Sequence, residues 1–268
     1  MSDTKSIHEF LAENPNVDVS RYWDRCFTIL TDVKTKIAEQ FTELKLDPGC
    51  VGREYYTSPN GEFEGSFQAW SSSDCDWLVN SWLGNRKASI LDMNATCFPS
   101  AAIDVPNFVM VFGTIPSLFF YFDFTPRRNI MVDTDYLDTY YQAINEDYLQ
   151  LRGNNNFQWN VSHGTYMRSM VNPSTQSLTA ELNDENIDTL EAYAYRMLDH
   201  WLGWVKNAKP VPQEEQASLQ AYSHKIRQLG YERDPMNALA ENVFGKDQVQ
   251  TMLDLRMGKQ QMANTKLY

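Results

Sequence analysis

The sequence predicts an α+β fold in which helices enclose one antiparallel sheet. Three observations point to it. Helical periodicity occupies both ends of the chain, strand-like segments joined by short links fill the middle, and no strand–helix alternation of the kind that builds a parallel sheet is present.

The elements follow in order. From Val19 to about Leu44, the residues Tyr22, Cys26, Leu30, Val33, Ile37 and Phe41 recur every three or four positions, which predicts a helix with one buried face. Asp47–Gly49 and Ser58–Gly61 read as turns. Strands are expected at Ser66–Trp70, Trp77–Trp82, Ala88–Cys97, Asn107–Phe112 and Ser117–Phe124, separated by Ser, Asp, Asn, Gly and Pro clusters. Asp133 or Thr134 caps a helix through Asp147 with Tyr136, Leu137, Tyr140, Tyr141 and Ile144 inward. After the polar turn Gly153–Asn156, a further strand is expected at Gly164–Val171. A broad apolar stripe (Ile187, Leu190, Ala194, Met197, Leu198, Trp201, Val205) predicts a helix from Asp184 to about Lys206, ended by Pro210 and Pro212. Two more helices are expected at Glu214–Leu229 and Met236–Arg256. With no repeat and no linker, residues 1–268 read as a single domain: an N-terminal helix at about 19–44, a sheet core at about 65–171 and C-terminal helices at about 184–256.

Composition narrows the function. Lys and Arg number 23 against 35 Asp and Glu, a formal net charge of -12 that disfavours nucleic acid or an anionic membrane as a partner. The apolar stretch Asn107–Phe124 is broken by Gly113–Pro116 and carries Asp123, so a buried hairpin is expected there rather than a membrane span. Cys26, Cys50, Cys75 and Cys97 form no C-x-x-C, and the N-terminal MSDTKSIHEFLAENPN lacks a basic start and an apolar core. Reduced thiols and a cytoplasmic location are expected.

Motif elimination removes several chemistries. Neither G-x-G-x-x-G nor G-x-x-x-x-G-K-[ST] occurs, His8, His163, His200 and His224 have no metal-ligand spacing, and no G-x-S-x-G elbow is present. No bound metal, flavin or nicotinamide is therefore expected. Among carboxylates, Asp123 alternates onto the face of Phe119 and Tyr121. It reads either as a proton donor raised by apolar surroundings or, preferably, as a strand-end acceptor for the Pro126–Arg128 turn. Asp234, before Pro235, reads first as a helix cap. Arg127 and Arg128 are solvated turn residues or ligands for propionate groups, and Arg168, placed on the expected strand, leans toward a carboxylate ligand. The abundant aromatics build the core, and also suit a pocket for a large flat ligand.

Asp104–Phe112 with the hairpin after it, Phe122–Arg128 and Asp135–Tyr141 together resemble red chlorophyll catabolite reductase, within the ferredoxin-dependent bilin reductase superfamily. Pro59–Gly61, Val79–Trp82, Tyr166–Ser169 and Val243–Gly245 add weaker matches, so the resemblance runs from about residue 50 to 250. It implies a three-layer α/β/α sandwich with a central antiparallel sheet, here of six or seven strands. It also implies a reductase without a bound cofactor that takes an open-chain tetrapyrrole as substrate, single electrons from reduced ferredoxin, and protons from carboxyl groups. The family's strand acid falls at Val111, three residues beyond Phe108, and its Trp-x-His pattern is lost because Leu83 and Gly84 follow Trp82. Its second acid matches Asp234 if one residue is inserted before Phe244. The resemblance thus gives Asp234, with Asp123 behind it, as catalytic acid, and Val111, Asn107, Val109, Arg168, Arg127, Arg128 and Trp82 as substrate-binding residues. The alternative is a non-catalytic tetrapyrrole carrier that has lost the strand acid. Attraction of an acidic ferredoxin requires a local basic patch, with Arg86, Lys87, Arg127, Arg128, Arg152, Lys206 and Lys209 as its candidates. The oligomeric state is left open, a homodimer being one option.

Overall fold

The computed structural model describes residues 5–6, 20–85, 87–88, 90–115 and 117–264. The apolar repeat of the first helix folds as α1 (Ser20–Ala38), which ends before the expected Leu44 and leaves Phe41 in the turn beyond it. Its predicted inner face is buried, with Cys26, Val33 and Ile37 fully enclosed.

A hairpin series follows: β2 (Lys45–Leu46), β3 (Tyr56–Thr57), β4 (Glu64–Ser71), β5 (Cys75–Asn85), β6 (Ile90–Pro99), β7 (Asn107–Thr114) and β8 (Leu118–Thr125). Then come α2 (Thr134–Tyr140), α3 (Asn145–Arg152), β9 (Phe157–Val161), α4 (Thr165–Ser169), β10 (Gln176–Ala180), α5 (Asp184–Lys206), α6 (Gln213–Glu232), α7 (Asn237–Phe244), α8 (Lys246–Met257) and α9 (Lys259–Asn264). With the two-residue β1 (Lys5–Ser6), the described strands form one sheet in the order β1-β9-β10-β8-β7-β6-β5-β4-β2, and β3 also pairs with β4. Every pairing is antiparallel except that of β1 with β9. The stretch from Asn107 is the expected buried hairpin, and no described helix is long and apolar enough to cross a membrane.

Strand alternation divides the sheet's side chains between two helical layers. Leu78, Cys97, Phe108 and Phe124 share one rung, and Trp82, Met93, Phe112, Phe120 and Leu178 another, all on one face. That face packs against α1 and α5, where the Phe108 and Trp201 rings lie 5.7 Å apart and the Phe120 and Tyr193 rings 6.0 Å. The other face carries Phe67, Ala69, Trp77, Val79 and Phe98, packed beneath Tyr231 of α6 and Met252 and Leu255 of α8. Trp77 Nε1 donates to the Leu255 carbonyl at 3.2 Å, pinning α8 to the sheet.

Several expectations fail locally. The helix expected through Asp147 is split into α2 and α3 by a tight turn at Gln142–Ile144. Gly164–Val171 is not a strand: Thr165–Ser169 makes the turn α4, because β10 already fills the place between β8 and β9. The sheet nevertheless holds more than six or seven strands, because the short β1, β2, β3, β9 and β10 join it. The helix expected over Met236–Arg256 is broken at Gly245, whose φ of 81° is a conformation glycine adopts without a Cβ clash.

Candidate functional site

The two faces of the central strands differ in closure. Beneath α1 and α5, Met93, Phe112 and Phe120 are sealed. On the opposite face of the same strands, Asp92, Val109, Val111, Phe119 and Tyr121 keep part of their surface exposed. Central strands of a three-layer fold are normally covered on both sides, so the partial exposure shows a face that the α6–α8 layer covers incompletely.

Register fixes what lines it. Phe67, Ser81, Asn94, Val111 and Tyr121 form one rung, and Leu83, Asp92, Gly113 and Phe119 the next. From the helical layer, Arg256 of α8 reaches down and donates from Nη2 to Ser81 Oγ at 2.8 Å. No described carboxylate lies within ion-pairing distance of its guanidinium, which sits 5.7 Å from the centre of the Phe67 ring. Asp234 enters from the α6–α7 junction. Its Oδ1 accepts the Met236 N–H at 2.9 Å, closing the turn before α7 rather than capping the helix, whose N-cap is Met236, and its carboxyl also faces Arg256. Burial pushes the Asp234 carboxyl up, against the opposing pull of the Met236 amide and Arg256. Asp92, on β6, is likewise raised by burial, eased by Arg256 and raised further by the negative charge of Asp234. Tyr121 is held well above the usual phenol range by burial and by Asp123 and Asp234. Two carboxyl groups raised above the usual carboxylate range thus share one face with an arginine, an arrangement suited to giving protons to a bound group.

Asp92 escapes sequence reasoning because it occupies an ordinary alternating position in a strand. The signal available was a lone carboxylate in Ile90–Cys97, a segment otherwise free of charge.

The other expected site residues scatter. Asp123 shares the half-open face but is fully enclosed, with Oδ2 accepting from Thr125 Oγ1 at 2.7 Å. Its Oδ1 accepts from Asn172 Nδ2 at 2.7 Å, Thr175 Oγ1 at 2.9 Å and Ser174 Oγ at 3.1 Å. Burial raises it and these donors oppose the rise. Its donors therefore come from the loop before β10 rather than from the Pro126–Arg128 turn. Asn107 begins the same face, wholly buried, and neither side-chain polar atom finds a partner among the described residues.

Trp82 does not join the site. It stands on the face opposite Val111, its ring 5.0 Å from Phe27 and 6.2 Å from Trp23 of α1. Arg127 is buried and structural, donating to Ser223 Oγ at 2.8 Å and to the Ile103 and Ser100 carbonyls at 2.7 and 3.1 Å. Arg128 pairs with Asp104, and with Glu215 at 3.3 Å. It lines a groove of about 810 Å³ between α2 and α5 that also includes Trp204, whose ring packs on Phe124 of the opposite sheet face. Arg168, on α4 rather than a strand, is exposed and donates to the Ser162 and His163 carbonyls at 2.9 and 2.8 Å. Of the basic-patch candidates, Arg152 stacks 4.0 Å from the Trp159 ring centre, Lys206 and Lys209 are exposed at the end of α5, and Arg86 lies outside the described residues, as does His8. Among the described residues, no three His, Cys, Asp or Glu side chains converge as a metal site.

An antiparallel sheet between helical layers is a fold shared with a solved structure. The crystal structure of phytochromobilin synthase from tomato, in complex with biliverdin, matches it with a TM-score of 0.75. That match covers 92% of this chain and 85% of the other at 16% identity. Within that fold the family is definite: the profile of red chlorophyll catabolite reductase matches residues 28–255, and the chain belongs to this family. The chloroplastic red chlorophyll catabolite reductase of Arabidopsis thaliana is 24% identical over 242 residues, covering 82% of this chain and 74% of that protein.

Proposed function

We propose that this protein reduces a linear tetrapyrrole, red chlorophyll catabolite or a related bilin, held between the central strands and the α6–α8 layer. Each double bond reduced takes up two electrons, delivered singly by reduced ferredoxin, and two protons from acid side chains and solvent. No resident cofactor enters this scheme.

The observation that carries the reading is Asp234, brought near Tyr121 and Asp92 of the half-open face with its carboxyl raised above the usual range. A carboxyl held above its usual range is better placed to give a proton to a substrate that has just accepted an electron. Val109 and Val111 offer apolar contact to the conjugated body, and Arg256, without a carboxylate in ion-pairing distance among the described residues, suits a propionate arm. Asp123, saturated with donors, serves this reading as a wall rather than as a donor of protons.

The rival is a tetrapyrrole carrier, favoured by Val111 where the family has an acid. Anaerobic incubation with reduced ferredoxin and either red chlorophyll catabolite or biliverdin separates the two. A spectral change requiring both electrons and protein supports the reductase; a shifted spectrum without turnover supports the carrier.

A further inference from the structure

We propose that Asp92 is the strand acid of this site, supplying from β6 the proton that an acid at Val111 would supply from β7. The inference rests on the reductase reading and names a catalytic residue within it. The β6–β7 ladder pairs Asn94 with Val111 and Asp92 with Gly113, so Asp92 and Val111 are diagonal neighbours on one face. Diagonal positions lie about 7–8 Å apart, and a tetrapyrrole laid on the face touches both. Gly113 is forced by packing, because a Cβ there would collide with the Leu91 carbonyl. The forced glycine leaves no side chain over Asp92 on its β7 side.

The surroundings of Asp92 fit a working acid better than a structural one. Asp123, on the same face, is saturated with four side-chain donors. No side chain or backbone amide among the described residues hydrogen-bonds the Asp92 carboxyl, although the group is partly buried. The charged and titratable groups facing it are Arg256 from α8, Asp234 from the α6–α7 junction and Tyr56 from β3. Asp234 disfavours a second negative charge beside it, while Arg256 stabilises the carboxylate left after transfer. In the step, the tetrapyrrole takes one electron from reduced ferredoxin, the Asp92 O–H bond breaks, and a bond from that hydrogen to the tetrapyrrole forms. A second ferredoxin supplies the second electron, Asp234 the second proton, and solvent reprotonates both carboxylates.

The test is Asp92→Asn, alone and combined with Val111→Glu, assayed anaerobically with reduced ferredoxin and biliverdin or red chlorophyll catabolite, beside a spectral titration of binding. Asp92→Asn is expected to lose roughly 10²–10⁴-fold in reduction while binding the bilin within a few-fold of the parent. Adding Val111→Glu is expected to restore at least about tenfold, since it returns a proton to the same face. A parent-level rate in Asp92→Asn overturns the assignment and leaves the reductase reading intact. A slow Asp92→Asn that Val111→Glu does not rescue, or one that has lost bilin binding, also overturns it, because the residue then only shapes the site. A parent protein that binds bilin without turnover overturns both readings together.

Discussion

Asp92 stands diagonally across the β6–β7 ladder from Val111, on the sheet face that looks toward Asp234 and Arg256. The position where the sequence resemblance implies a strand acid, Val111, and the position where this chain has a raised carboxyl are therefore one strand apart on a common surface. An acid moved by one strand keeps its access to a ligand as broad as a tetrapyrrole.

Asp234→Asn keeps the oxygen that accepts the Met236 amide and removes the titratable proton. Reduction is expected to fall roughly 10²–10⁴-fold, with bilin affinity nearly unchanged. Single-turnover kinetics with reduced ferredoxin measure the first and a spectral titration the second. In the parent protein the rate should decline as pH rises through the raised carboxyl value, since the protonated form is the active one. A full rate in the variant would remove Asp234 as donor.

Val111→Glu in the parent background is expected to change the rate by less than about tenfold if Asp92 already delivers the strand proton. A gain well beyond that, measured under the same conditions, would mean that the missing acid limits the parent.

Asp92→Asn carries a stability signature of its own. Burial raises the folded-state carboxyl, so the folded protein is favoured at low pH, and that favour is lost as pH rises through the folded value. Asparagine has no such loss. The thermal midpoint of the variant should exceed the parent's at pH 7, and the difference should shrink as pH falls. Equal midpoints throughout would count against a raised Asp92.

Asp76 shows the opposite sign. It is buried beside β5's start and accepts from Arg227 Nη1 at 2.8 Å and Gln261 Nε2 at 2.8 Å, with His224 Nε2 3.0 Å away. Burial alone would raise its carboxyl, yet the Arg227 charge and the His224 and Gln261 contacts hold it far below the usual range. Its contribution is present above the ordinary carboxylate value of about 3.9 and lost as pH falls toward the depressed folded value. Asp76→Asn should cost about 3–5 kcal/mol at pH 7, because Arg227 then lies buried without a counter-charge. Urea titration checks it, and a cost that fails to shrink on acidification would contradict the pairing.

The two sheet faces should separate in mutagenesis. Trp82→Leu, on the face beneath α1, is expected to lower stability by about 1–3 kcal/mol and leave bilin affinity within a few-fold. Val111→Trp, which adds bulk to the half-open face, should weaken bilin binding at least about tenfold by excluding part of the ligand. Titration of both variants with biliverdin decides it.

The sequence by itself determined the elements whose pattern is long and local. The apolar spacing of α1 and α5 announces each helix, and the strand alternation from Ser66 to Phe124 announces an antiparallel meander. The faces of β7 were legible too, with Asn107, Val109 and Val111 opposed to Phe108, Met110 and Phe112, because a strand's period is fixed by its backbone. Where a segment is short, sequence ran out. Phe157–Val161 and Gln176–Ala180 are strands only because neighbours complete their hydrogen bonds, and Thr165–Ser169 is excluded from the sheet once they have done so. Tertiary structure alone decided the site. Alternation says that Ser81 and Trp82 face opposite ways, but only the ladder register says which of them shares a surface with Val111, and a slip of one residue would exchange them. The meeting of Asp92 with Asp234 and Arg256 has the same origin, since nothing local to β6 records what the C-terminal helices will lay across it.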